Sequence, residues 1–140
     1  MAGVLVDTDV LIHAYQAGGG DPRSGRAKDA LEELAHRGNG FLSVQNLAEF
    51  SRAVQTRLAS PVPPAKVRET IAQLEQVFDV LRPSSRTIDT ALLGVEKHGL
   101  EFWDSMVWAV AHENGIDEVL TQDLPARAEI EGVRYRNPFA

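Results

Sequence analysis

Short apolar runs alternate along the chain with longer stretches in which apolar side chains recur every three or four positions. The short runs are typical of buried strands, and the longer stretches are typical of amphipathic helices. Strands and helices that alternate in this way indicate βα units built around a parallel sheet. We therefore expect an α/β fold, and the length of 140 residues predicts one domain that spans residues 1–140.

The same pattern predicts where the individual elements lie. Strands are predicted at 3–6, 41–42, 78–81, 118–121 and 133–135, and helices at 10–17, 22–37, 44–58, 65–77, 85–97 and 102–114. Capping residues support several boundaries, because Asp21 and Ser84 precede helices whereas Gly38 and Gly99 follow them. The glycine run at 18–20 is expected to end the first helix.

Composition narrows the possible chemistry. The chain has no cysteine, which excludes disulfides, thiolate metal ligands and cysteine nucleophiles. Its 14 basic residues against 20 acidic ones give a formal net charge of −6, which counts against an RNA substrate. This objection weakens where several acids bind divalent cations, because the cations cancel the acids' charge and contact phosphate themselves.

Membrane association is not expected. No apolar stretch approaches the roughly 18 residues that a spanning helix needs, and Asp7 comes before a signal-peptide hydrophobic region would fit. We expect a soluble, cytoplasmic protein. A zinc site is not expected either, because the four histidines lie on separate segments without a close pair at ligand spacing.

Four acids on separate segments are the candidates for chemistry. Asp7 and Asp123 follow predicted strands, Asp104 lies in the first turn of a predicted helix, and Glu49 lies within another. In open α/β sheets ligands bind outside the carboxyl ends of strands. Mg²⁺ and Mn²⁺ prefer oxygen ligands, and a metal-bound water can hydrolyse a phosphodiester. The four acids together therefore predict metal-dependent hydrolysis.

Each acid also has an ordinary structural explanation when it is taken alone. Asp7 or Asp9 would cap a helix, and Asp104 would complement a helix dipole. Asp123 would shape a turn, and Glu49 would pair with an arginine one turn later. Only the combination favours a metal site, because phosphodiester hydrolysis needs oxygen ligands from several chain segments around one water.

Four short segments that contain these acids carry a resemblance to a known family. They are 4–12 (VLVDTDVLI), 43–50 (SVQNLAEF), 102–105 (FWDS) and 120–124 (LTQDL). In order and spacing they resemble the motifs of PIN domains, and in particular of VapC-like toxins. The resemblance covers essentially the whole chain.

This resemblance implies a three-layer α/β/α sandwich with a central, mainly parallel sheet of about five strands. It implies an endoribonuclease toxin that uses Mg²⁺ (or Mn²⁺), acts on RNA, is inhibited by a cognate VapB-like antitoxin and forms a homodimer. The implied catalytic residues and metal ligands are Asp7, Glu49, Asp104 and Asp123, supported by Thr8, Asp9 and Thr121. Asp9 stands where PIN domains frequently have asparagine.

Three other functions are alternatives to this one. The segment 7–9 (DTD) is similar to the DxD motif of haloacid-dehalogenase-like phosphatases, in which Asp7 would be a nucleophile. Those enzymes need a strand-end serine or threonine before a lysine, but here Lys97 precedes Thr121. A receiver-type signalling module needs a lysine after its last strand, and lysine occurs only at 28, 66 and 97. A non-catalytic PIN-like interaction scaffold remains open.

The two tryptophans have competing interpretations. Trp103 and Trp108 lie in a predicted helix that is apolar around most of its circumference, which usually indicates core packing. The alternative is that one of them stacks on a nucleic-acid base. Exposure in the folded chain distinguishes the two.

Overall fold

Within residues 2–16, 21–58 and 60–140, which the computed structural model describes, the chain forms six strands and six helices. The strands are β1 (Val4–Val6), β2 (Gly40–Ser43), β3 (Asp79–Leu81), β4 (Glu118–Leu120), β5 (Glu129–Ile130) and β6 (Val133–Arg136). The helices are α1 (Thr8–Ala14), α2 (Pro22–Arg37), α3 (Val44–Thr56), α4 (Pro64–Val77), α5 (Ser85–His98) and α6 (Phe102–Glu113).

The strands form one sheet in the order β3-β2-β1-β4-β6-β5. All neighbouring strands pair parallel except β5 and β6, which are antiparallel. The expected mainly parallel sheet is confirmed. The sheet has one strand more than the five predicted, because the two-residue β5 is too short to show an alternating pattern.

The helices cover both faces of the sheet. Alternate residues of β1 point to opposite faces, so Leu5 packs with α5 and α6, while Val4 and Val6 pack with α1 to α4. Each face has its own buried core, and this arrangement is the expected three-layer α/β/α sandwich. In the described part of the chain, no helix is long and apolar enough to cross a membrane.

Helix boundaries follow from side-chain caps. Asp21 and Ser84 accept hydrogen bonds from backbone N–H groups of α2 and α5, as predicted. Gly38 and Gly99 end the same helices in the left-handed conformation that glycine adopts without strain. The predicted first-helix end at 17 and the glycine run at 18–20 lie outside the described residues.

A close contact between α5 and α6 fixes the helix that carries Asp104. A Cβ atom on Gly94 would lie 2.9 Å from the ring of Trp108, so only glycine lets the helices approach this closely. Trp108 is 2% exposed, and its Nε1 donates a hydrogen bond to the carbonyl of Ile130 at 3.1 Å. For Trp108 the prediction of core packing is confirmed.

Candidate active site

The carboxyl ends of the two central strands bring the first and fourth motifs together. Asp7 directly follows β1 and Thr121 directly follows β4, and the Asp7 N–H donates to the Leu120 carbonyl at 2.9 Å. The Thr121 hydroxyl donates to Asp7 Oδ2 at 2.9 Å and lies 3.3 Å from Asp9 Oδ2. The Gln122 N–H also donates to Asp9 Oδ2, at 3.0 Å. One hydroxyl and one amide thus hold two carboxylates side by side.

Asp7 is fixed from the other side by the start of α1 and by α3. Its Oδ1 caps α1 by accepting from the Thr8 N–H at 2.8 Å, so the helix begins two residues earlier than predicted. Asn46 Nδ2 lies 3.4 Å from the same oxygen and donates to the Thr8 hydroxyl at 3.1 Å. Asn46 is fully buried, and the Ser43 hydroxyl donates to its Oδ1 at 2.9 Å.

Asn46 is a site residue that the sequence reasoning missed. The sequence contains a signal for it, because the polar amide of Asn46 lies on the otherwise apolar buried face of α3, one turn before Phe50. A buried amide without partners would be costly, so its position predicts hydrogen bonding to other buried polar groups. Glu49, three positions later, is the more conspicuous candidate in the sequence because it carries a charge.

The other three of the four candidate acids, which we call the quartet together with Asp7, are Asp104 on α6, Glu49 on α3 and Asp123 in the segment after β4. Asp104 lies in the first turn of α6, whose N-terminus is capped by the Glu101 carboxylate through the N–H groups of Trp103 and Asp104. Glu49 is exposed and accepts from Gln45 Nε2 at 3.0 Å, so it does not form the arginine pair considered as its ordinary explanation. Asp123 is exposed, and its N–H donates to the Thr121 hydroxyl at 3.2 Å.

Burial and neighbouring negative charges raise the pKa values of Asp7, Asp9 and Asp104. Burial, followed by the negative charge of Asp9, raises the pKa of Asp7 to about 7 against the opposing hydrogen bonds from Thr8 and Thr121. Burial is also the largest cause that raises the pKa of Asp9. The pKa of Asp104 is raised first by desolvation and then by nearby negative charges, those of Glu101, Asp123, Asp9 and Glu49. The structure therefore brings Asp7, Asp9, Glu49 and Asp123 within electrostatic reach of Asp104.

A small cavity of about 20 Å³ lies between these groups. Its polar lining is formed by Asp7, Asp104, Thr121, Asp123 and Tyr135, and four apolar residues complete the wall. Tyr135 was not predicted as a site residue. Tyr135 lines the cavity because β6 pairs with β4 in the register Val119↔Tyr135, which the sequence does not reveal.

The donor set fits a divalent cation. Asp9 Oδ1 is buried and has no hydrogen-bond partner among the described residues. No lysine or arginine in the described part of the chain forms an ion pair with Asp9 or with the quartet. A cation bound by carboxylate oxygens would satisfy the free oxygen and offset the repulsion between the acids. No three histidine, aspartate or glutamate residues among those described form a preassembled ligand set, so the fit rests on donor chemistry.

Trp103 is an exposed residue in the first turn of α6. It precedes Asp104, is 55% exposed and contacts Phe102 edge to face, with ring centroids 5.0 Å apart. Core packing therefore does not explain Trp103, in contrast to Trp108. An exposed indole beside a carboxylate cluster is available for stacking on a planar group.

Comparison with known proteins agrees with the fold. The family model described as PIN domain matches residues 4–126. No curated protein matches the chain significantly. A toxin–antitoxin complex from Klebsiella pneumoniae has a similar structure, with a TM-score of 0.71, 18% identity, and coverage of 97% of this chain and 98% of that one.

Two further solved structures share the fold. VapC20 from Mycobacterium tuberculosis, a sarcin–ricin loop cleaving toxin, has a TM-score of 0.67 and 22% identity, and 94% of this chain and 99% of that chain are covered. DNA-bound VapBC from Salmonella typhimurium has a TM-score of 0.68 and 16% identity, and 99% of each chain is covered. All three structures have the fold of this chain over nearly its whole length.

Proposed function

The chain belongs to the PIN domain family, and from this premise we propose that it is a Mg²⁺- or Mn²⁺-dependent endoribonuclease. We further propose that it is the toxin of a VapBC-type toxin–antitoxin pair. The observation that carries the proposal is the convergence of Asp7, Asp104 and Asp123 on one small cavity, with Glu49 in electrostatic reach. Acids from three separate segments line that cavity, and no lysine or arginine among the described residues forms an ion pair with them.

Some residues of the site would bind the cation, and others fix the positions of its ligands. Asp7 and Asp104, together with Glu49 and Asp123, are the proposed ligands. Thr121 keeps Asp7 beside Asp9, and Asn46 with Thr8 fixes the other oxygen of Asp7. When bound, the cation would lower the pKa of water and neutralise charge on the phosphate. No side-chain nucleophile is needed.

RNA and an antitoxin are the proposed partners. The structural neighbours include a sarcin–ricin loop cleaving toxin and toxin–antitoxin complexes, and this supports RNA cleavage and a VapB-like inhibitor for this chain too. We also propose a homodimer. The exposed side chains of Val44 and Val77, at the start of α3 and the end of α4, supply apolar surface for it.

The phosphatase alternative finds no support in the arrangement. An Asp7 nucleophile would need a lysine beside it, and the lysines lie in α2, α4 and α5, outside the cavity lining. Both oxygens of Asp7 are already held by hydrogen bonds.

Cleavage of single-stranded RNA by the purified chain tests the proposal. We expect cleavage with Mg²⁺ or Mn²⁺, none in EDTA, and at least a hundredfold loss in Asp7→Asn and in Asp104→Asn. Asp29→Asn, which removes an exposed acid from α2, is the matched control and should cleave like the original chain. Full activity in both site variants would refute the metal mechanism, and no cleavage by the original chain would favour the scaffold alternative.

A further inference from the structure

The hydroxyl of Tyr135 is buried and has no hydrogen-bond partner among the described residues. The ring lies half-buried on β6 and packs against the core beneath α5 and α6. A buried hydroxyl without a partner is unfavourable, and phenylalanine would fill the same space without that penalty. The partner of this hydroxyl is therefore a group other than a described protein atom.

The cavity beside Tyr135 has room for such a group. Its volume of about 20 Å³ exceeds the roughly 10–15 Å³ that one water molecule requires. A water also needs two or more polar partners. The residues that line the cavity include one with a donor group, Tyr135, and two with acceptor groups, Asp7 and Asp104.

The chemistry of these groups sets their hydrogen-bonding roles. A tyrosine hydroxyl carries a proton that it can donate, and ionised carboxylates can only accept hydrogen bonds. A water between them accepts from Tyr135 and donates to a carboxylate, and this combination restricts the orientation of its oxygen.

We propose that Tyr135 is a positioning residue whose hydroxyl holds the reacting water in the cavity beside Asp7 and Asp104. The proposal rests on the proposed hydrolysis of RNA. In that reaction the water oxygen bonds to phosphorus while the bond from phosphorus to the leaving ribose oxygen breaks. One water proton passes to a carboxylate oxygen, and the leaving oxygen takes a proton from solvent. Tyr135 itself gains and loses no bond to phosphorus.

Tyr135→Phe tests this role, and Tyr15→Phe is its matched control. Tyr15 is the other tyrosine of the chain, and it packs edge to face on Phe50 outside the cavity. With Mn²⁺ and a single-stranded RNA oligonucleotide, we expect Tyr135→Phe to lower kcat about tenfold to a hundredfold. KM should stay within about twofold, because a positioning role acts on the chemical step rather than on binding. Tyr15→Phe should change neither constant.

Two measurements that do not depend on activity complete the test. A crystal structure of the metal-free chain in EDTA should show a water about 2.6–3.0 Å from the Tyr135 hydroxyl oxygen, and Tyr135→Phe should lose that water. Calorimetric titration with Mn²⁺ should give similar affinities for the original chain and Tyr135→Phe, and at least tenfold weaker binding for Asp104→Asn.

The outcomes separate this proposal from the nuclease proposal. An active original chain with unchanged kcat in Tyr135→Phe overturns the positioning role and leaves the nuclease intact. Loss of Mn²⁺ affinity in Tyr135→Phe in proportion to the loss of kcat also overturns it, because the hydroxyl would then support the metal ligands. An inactive original chain with an ordered water on Tyr135 overturns the nuclease, and the positioning role with it, while the hydrogen bond stands.

Discussion

Replacing Asp7 with asparagine should stabilise the metal-free protein at neutral and alkaline pH while it abolishes cleavage. The folded chain holds the Asp7 carboxylate in a buried position next to the charge of Asp9, and the unfolded chain does not. Asparagine keeps an oxygen for the Thr8 N–H, and its amide nitrogen can donate to the Thr121 hydroxyl. The substitution therefore removes the charge and retains the hydrogen-bond geometry.

The size and pH window of the effect follow from the pKa of Asp7. Folding raises this pKa from 3.8 to about 7, so the folded state favours the protonated acid. Below pH 3.8 the acid is protonated in both states and costs nothing. Stability is lost as the pH rises from there to about 7, and the full shift corresponds to about 4 kcal/mol. Because Asp7 keeps some solvent access, we expect about 2–4 kcal/mol for Asp7→Asn at pH 8.

Thermal and urea unfolding in EDTA between pH 4 and pH 8.5 measure this difference. The variant and the original chain should coincide near pH 4 and diverge toward pH 8, where the variant should melt roughly 6–12 °C higher. Adding Mg²⁺ should raise the melting temperature of the original chain and leave that of the variant unchanged. Asp29→Asn, on exposed α2 surface, should show neither effect. A variant that is less stable at pH 8, or a difference that does not change with pH, would refute the reasoning.

Three further substitutions have defined expected outcomes. Gly94→Ala should lower the free energy of unfolding by about 1–3 kcal/mol in urea titrations, because its Cβ would collide with Trp108. Gly25→Ala, whose Cβ meets nothing within 4 Å, should not destabilise, and equal losses in both would contradict the contact argument. Asn46→Ala should reduce RNA cleavage at least tenfold by releasing Asp7, and unchanged cleavage would show that Thr121 suffices. Trp103→Ala should raise KM for single-stranded RNA about tenfold with kcat nearly constant. Trp103→Phe should bring KM most of the way back to the value of the original chain, and equal KM values for Trp103→Ala and the original chain would exclude base stacking.

Much of this fold is predictable because its causes are local. Helix periodicity and the caps at Asp21 and Ser84 act within a few residues of the chain, so the helix positions are confirmed closely. The same locality explains the errors. β5 pairs only with β6 and has two residues, which leaves no repeating pattern to detect.

The candidate site was predictable only as a set of charges. Asp7, Glu49, Asp104 and Asp123 are conspicuous in the sequence, and the structure places the other three in electrostatic reach of Asp104. Their hydrogen-bond partners depend on tertiary pairing. Tyr135 lines the cavity because of the register between β4 and β6, and this register cannot be predicted from the periodicity of the sequence.

The hydrogen bond between Asp7 and Thr121 joins residues that are 114 positions apart. During synthesis at roughly 5–20 residues per second, the first carboxylate of the cluster waits on the order of ten seconds for its partner. β1 has both of its neighbouring strands only after β4 has been made, because it lies between β2 and β4. The growing chain thus has no complete carboxylate cluster until Asp123 has been made. For a nuclease that would act on RNA, this order of assembly delays the onset of activity until β4 and the segment that follows it have been synthesised.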